Sequence, residues 1–157
     1  MKTEVKPARP DWLRWFSLGL AALGALDAAY LTWIKFANTQ ALCTGAGGCE
    51  AVNTSVYSEI NGIPIAAFGL GMYLLIALLL GLENRVELAR TYGRLAVFGL
   101  ALTGTLYSAY LTYVELFVLH AVCPYCVISA VAVTALLVLA VARLVQHTAD
   151  EESAETD

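Results

Sequence analysis

The sequence predicts an all-α integral membrane protein: a four-transmembrane-helix bundle with an extracytoplasmic loop and a short helix capping one end. Composition is the first reason. Of 157 residues, 59% are hydrophobic and 14% charged, and the mean hydropathy is +0.69. Soluble domains are nearer half apolar and about a quarter charged. Length is the second reason, since a helix needs about 20 apolar residues to cross a hydrocarbon core of roughly 30 Å. Four runs meet that requirement: Trp12–Lys35, Ile63–Leu82, Leu95–Leu119 and Cys123–Leu144. Each is apolar all round, so a soluble alternative would need a much larger protein around it. The first run is too long for a signal-peptide core, and no small-residue cleavage site follows it.

The third reason is the placement of Lys and Arg, which accumulate on the cytoplasmic side of membrane helices. Lys2, Lys6, Arg9 and Arg14 precede or open span one; Arg85, Arg90 and Arg94 lie around the second loop; Arg143 closes span four. With four spans all of these fall on one face, and Lys35 alone falls on the other. Both termini are therefore expected in the cytoplasm of a multi-pass protein of the inner (cytoplasmic) membrane, with loops 36–62 and 120–122 outside. Trp12 and Trp15 at one end of span one, and Trp33 at the other, suit interfacial anchoring. The expected organisation is a cytoplasmic segment 1–10, a membrane domain 11–146 and an acidic, disordered tail 147–157. No basic cluster points to nucleic acid.

The four cysteines then acquire meaning. Cys43 and Cys49 lie in the first outer loop, and Cys123 and Cys126 at the outer end of span four. All four share the side on which disulfides persist. Cys123-Pro124-Tyr125-Cys126 is a Cys-x-x-Cys at a helix start, where proline suits the first helical position and the helix N-terminus favours a thiolate. His120, three residues earlier, is either a nearby proton carrier or a headgroup-level residue. Cys43 and Cys49 bracket Thr44-Gly45-Ala46-Gly47-Gly48, a flexible segment able to carry a thiol between positions. Cys49, Val52 and Val56 recur at helical spacing, expected as one face of a short helix over the bundle mouth. Thiol exchange between the pairs competes with three other readings: two static staples, a cysteine-bound metal, and a pure membrane scaffold or transporter. Asp27 and Glu115, acidic residues inside spans, support the last.

The stretch Cys43…Cys49-x5-Ser55, Gly62-Ile63-Pro64 and Phe68-Gly69 resembles the vitamin K epoxide reductase family. So does Tyr107-x2-Tyr110-Leu111 leading through Glu115 and His120 to Cys123-Pro124-Tyr125-Cys126. The similarity covers roughly residues 20–145. It implies a bacterial-type membrane oxidoreductase that oxidises a separate thioredoxin-fold, DsbA-like partner and passes electrons to a quinone, menaquinone or ubiquinone. By the same resemblance Cys126 reacts with the quinone, Cys123 resolves it and exchanges with Cys49, and Cys43 meets the partner. Ser55, Tyr57, Phe68 and Ser129 are the expected quinone-pocket residues. Ile65 and Ala130 stand where animal members carry an asparagine and a tyrosine, which favours plain quinone reduction over epoxide reduction. DsbB-type oxidases also have four spans and two cysteine pairs, but with the Cys-x-x-Cys first; here it comes last.

Overall fold

The computed structural model describes residues 12–39 and 48–155. Four long helices carry the fold: α1 (Trp12–Ala37), α3 (Ile65–Leu82), α4 (Glu87–Val114) and α5 (Pro124–Glu155). All four are long and apolar enough to cross a membrane; in the last two the candidate spans are Tyr92–Leu119 and Pro124–Gln146. The chain is an all-α membrane bundle. Between α1 and α3 come the short helix α2 (Cys49–Thr54), a 3-10 turn at Val56–Ser58 and a hairpin of β1 (Glu59–Ile60) and β2 (Ile63–Pro64). Cys43, the basic residues Lys2, Lys6 and Arg9, and residues 44–47 between the loop cysteines lie outside the described residues.

Helix α1 packs on α3 and α5, and α4 packs on the same two, so the four spans close a ring. Its core combines small residues (Ala21, Ala28, Ala101 and Ala140) with large ones (Tyr73, Ile76, Leu80 and Leu136). Small side chains let helix backbones approach where no water drives association, and the large ones fill the gaps between layers. The outward faces carry Trp15, Leu26, Leu106 and Val131, all exposed, as lipid contact demands.

One end of the ring is tied by charge. Glu83, at the end of α3, accepts hydrogen bonds from Arg94 of α4 at 2.8 Å and Arg143 of α5 at 2.5 Å. Arg14 of α1 donates to the Leu80 carbonyl at 2.8 Å. Three of the arginines read as topology markers thus meet at one end. Lys35 marks the opposite end: it donates to the Asn53 carbonyl at 2.5 Å and Ser58 Oγ at 2.8 Å, and faces Glu59 at 3.5 Å. Those bonds fasten the loop to α1.

Three elements differ from expectation. The second span begins at Ile65, because Ile63 and Pro64 pair with β1 across an Asn61-Gly62 turn with φ of 52° and 80°. Both residues must be left-handed there, which suits Asn-Gly. The loop helix stops at Thr54, since Ser55 is extended (ψ 154°), and Val56 turns outward at 82% exposure rather than continuing the Cys49–Val52 face. Helix α5 runs on to Glu155 where disorder was expected; the Ala- and Glu-rich sequence there has good helix propensity.

Candidate active site

At its C-terminal end α4 passes into a π-helical turn, Glu115–Leu119. His120 closes it in the left-handed region (φ 48°, ψ 36°), and the Ala121 N–H reaches back to the Glu115 carbonyl at 3.0 Å. This closure turns the chain sharply, so that residues 121–123 run straight into α5. His120 itself is exposed and is not among the groups that act on the Cys123 thiol.

Cys123 caps α5. Its carbonyl accepts the Val127 N–H at 3.1 Å, and its sulfur receives the N–H groups of Tyr125 and Cys126. Pro124, between them, has no N–H to satisfy. Cys123 and Cys126 are both free, and Cys123 is buried. The Cys126 thiol donates to the Cys123 sulfur, and with the two backbone N–H groups it outweighs burial and the Glu115 charge. The Cys123 thiol is thereby pulled down from 9.0 to about 7. The thiolate-stabilising contacts of the helix terminus therefore converge on the first cysteine of the pair. Glu115 Oε2 accepts the Cys123 N–H at 3.2 Å, and its carboxyl also stands beside the Cys126 thiol.

The loop brings the other cysteine to the same place. Cys49 is disulfide-bonded and 2% exposed. Gly48 lies so close to the Val122 backbone that an added Cβ would sit 2.5 Å from its carbonyl oxygen. Each of these two residues is followed by a cysteine, so the bare backbone of Gly48 is what lets α2 settle against the start of α5.

Below the dithiol is a cavity of about 300 Å³. Cys123, Cys126, Ser129 and Val133 line it from one face of α5, and Phe68, Met72 and Tyr73 from α3. Tyr107 and Glu115 close the α4 side, and Val52, Ser55 and Tyr57 form the roof. The four residues expected to form a quinone pocket, Ser55, Tyr57, Phe68 and Ser129, are thus brought together. Two of their hydroxyls are already engaged: Ser55 Oγ donates to the Val52 carbonyl at 2.8 Å, and Ser129 Oγ lies 3.0 Å from Tyr73 Oη. Tyr73 also donates to the Ser129 carbonyl at 2.9 Å. Asp27 enters from α1, and its Oδ2 is buried without a hydrogen-bond partner. An apolar cavity with an orphaned acceptor oxygen suits a mostly hydrophobic ligand that carries a hydroxyl or other hydrogen-bond donor.

Fold and site together define a four-span membrane protein with a free dithiol at the edge of an apolar cavity. The family model described as the vitamin K epoxide reductase family matches residues 15–141. The chain belongs to that family. It is also 35% identical over 111 residues to Thiol-disulfide oxidoreductase LTO1 of Arabidopsis thaliana, an alignment covering 67% of this chain and 30% of that protein. The chain thus spans under a third of the length of that curated relative.

Proposed function

We propose that the protein is a quinone-dependent thiol–disulfide oxidoreductase that oxidises a separate thioredoxin-fold, DsbA-like protein outside the cytoplasm. The observation that carries this reading is the free Cys123–Cys126 pair opening onto an apolar cavity, with the disulfide-bonded Cys49 seated beside it. Family membership and the likeness to a protein named as a thiol-disulfide oxidoreductase support it. The bias of Lys and Arg to one end supports an orientation with both termini cytoplasmic and the cysteines on the outer side of a bacterial cytoplasmic membrane.

In this mechanism a partner thiolate attacks Cys43 of the Cys43–Cys49 disulfide and frees Cys49 as a thiolate. Cys49 attacks Cys123 of the oxidised pair, the Cys123–Cys126 bond breaks, and Cys126 departs with the electron pair. The partner's second thiol closes its own disulfide and releases Cys43. Cys43 then attacks Cys49, restoring the loop disulfide and leaving Cys123 and Cys126 reduced. Every hand-off passes through a mixed disulfide between one attacking and one departing sulfur. The low Cys123 pKa makes this sulfur a good leaving group in the last exchange. A quinone, menaquinone or ubiquinone, supplies an acceptor of two electrons and two protons that is soluble in the bilayer. Ser55, Tyr57, Phe68, Tyr73 and Ser129 would hold it, the aromatic rings by contact and the polar groups by its oxygens. Cys126, which lines the cavity, would be the sulfur on the acceptor's side, and Cys123 would close the disulfide with Cys126.

The test is anaerobic quinol formation by the purified protein, with dithiothreitol as donor and a short-chain quinone as acceptor. The wild type is expected to turn over and Cys126→Ser to be inactive. Equal rates in the two proteins would refute the proposal.

A further inference from the structure

Forming the Cys123–Cys126 bond requires both thiols to lose their protons, and the fold provides for the two unequally. Cys123 has the Tyr125 and Cys126 N–H groups and the Cys126 thiol as donors. Cys126 sits one helical turn further in, where the backbone N–H groups are already spent on Cys123. What lies beside its thiol, apart from Cys123, is the carboxyl of Glu115. Resting on the dithiol reading above, we infer that Glu115 is a catalytic base: it takes the Cys126 proton as Cys126 closes the disulfide with Cys123, and returns it when the bond is broken.

The geometry is that of a positioned base. Glu115 is 4% exposed and lines the cavity with both sulfurs. Its Oε2 accepts the Cys123 N–H at 3.2 Å, a bond that orients the carboxyl toward the pair. Among the described residues no ion pair includes it, whereas Glu83, another buried carboxyl, lies between Arg94 and Arg143. A buried carboxylate held between cations is committed to them, whereas one that lies beside a thiol in a cavity is placed to act as a base. The π-helical turn that begins at Glu115 is of a kind common at functional sites.

The step balances with any disulfide oxidant RSSR of low molecular weight. The Cys123 thiolate attacks RSSR, forming Cys123–S–SR and releasing RS−. Cys126 then attacks the Cys123 sulfur while its proton passes to Glu115; the Cys123–Cys126 bond forms, a second RS− leaves, and the carboxyl is now protonated. Besides the two cysteines of α5, the titratable groups around the cavity are Asp27 of α1, Tyr73 of α3, Tyr107 of α4 and Tyr57 of the loop. Cys49 of α2 is disulfide-bonded. None of these is placed against the Cys126 thiol as Glu115 is.

The experiment uses the full chain carrying Cys43→Ser and Cys49→Ser, reduced, with 2,2′-dipyridyl disulfide as oxidant. Each RS− absorbs, so attack by Cys123 and closure by Cys126 appear as two phases. Glu115→Gln should leave the first phase within about threefold and slow the second by roughly 100-fold or more, the range for a lost general base. Mass spectrometry should then find the mixed disulfide on Cys123. Closure in the Gln variant should rise about tenfold per pH unit, as hydroxide takes over the base's role, and Glu115→Asp should restore part of the rate. Gln keeps an oxygen for the Cys123 N–H, and an unchanged melting temperature verifies folding. Should Gln misfold, the Asp variant decides: a closure rate equal to that of the parent overturns the inference. Closure in Glu115→Gln that is unchanged or faster overturns it too, since faster closure is what removing a negative charge alone would produce. The measurement contains no quinone, so failure of quinone reduction in the wild type would count against the proposed oxidase reaction and leave this result standing.

Discussion

Replacing Glu83 by alanine should be among the most destabilising single changes in the protein, with little direct effect on the dithiol. The side chain accepts from Arg94 at 2.8 Å and Arg143 at 2.5 Å, and Glu83 and Arg143 are only 4% and 6% exposed. Removing one member of a buried pair typically costs about 3–5 kcal/mol, because a charge stays buried without compensation. Two arginines lose this carboxylate here. Arg94 is 25% exposed and can turn towards water or headgroups, so its share is small, and the total should stay near the middle of that range. At roughly 2–4 °C per kcal/mol for a chain of this size, the melting temperature should fall by about 10 °C. Thermal unfolding in detergent, followed by circular dichroism, measures it. The Cys123 thiol should meanwhile react normally, since the arginine cluster and the cysteines lie at opposite ends of the bundle. A Glu83→Ala protein melting within about 2 °C of wild type would refute the claim that this cluster clamps the bundle.

The same residue sets an acid limit. Burial pushes the Glu83 carboxyl up, but hydrogen bonds from Arg143 and Arg94 outweigh it and hold the group below 4.5. A carboxyl depressed on folding stabilises the protein above its unfolded value and loses that contribution as pH falls through the folded one. Wild-type stability should therefore drop below about pH 4.5, and Glu83→Gln should show a shallower decline; identical acid-unfolding curves would contradict this. Alkylation of Cys123 should titrate with a midpoint near 7, and Cys126→Ala, which removes the foremost hydrogen bond, should move it upward; a midpoint unaffected by that change would refute the assigned cause. Gly48→Ala drives a methyl group into the Val122 backbone, to within 2.5 Å of its carbonyl oxygen. It should slow electron transfer from the loop cysteines to Cys123 at least tenfold while direct reduction of the Cys123–Cys126 bond by dithiothreitol continues, and unimpaired transfer would count against the close loop contact. Asp27→Leu should raise the melting temperature by a few degrees, because an unpaired buried oxygen costs about 1–3 kcal/mol, yet weaken quinone reduction; a variant neither more stable nor less active would refute a ligand-facing role.

Long apolar runs were readable because hydropathy reports the solvent of a helix directly, and the first span was placed to within two residues of α1. The hairpin was not recognised, although Asn61-Gly62 announces it. Its strands are only two residues long, and Ile63 and Pro64 merged into the apolar run of the second span. The Cys49–Val52 face was anticipated and its continuation to Val56 was not, since periodicity does not register the extended backbone at Ser55. Arg14, Arg94 and Arg143 were read as topology signals, but their common anchor, through Glu83 and the adjoining Leu80 carbonyl, depends on three helices meeting in space. Ser55, Tyr57, Phe68 and Ser129 line the cavity, and the cysteine pairs were identifiable from their spacing. The bond from Cys123 N–H to Glu115 was not, because it requires a π-helical turn, whose i to i+5 register leaves no mark in composition or spacing.

That turn also dictates how the chain can vary. Successive α-helical residues are rotated by about 100°, so inserting or deleting one residue between Tyr107 and Glu115 would swing the carboxyl out of the cavity and onto the lipid. Side-chain changes on the outward face of this stretch, at the exposed Tyr113 for example, leave that rotation untouched. Drift in spelling is tolerable here, but drift in length is not.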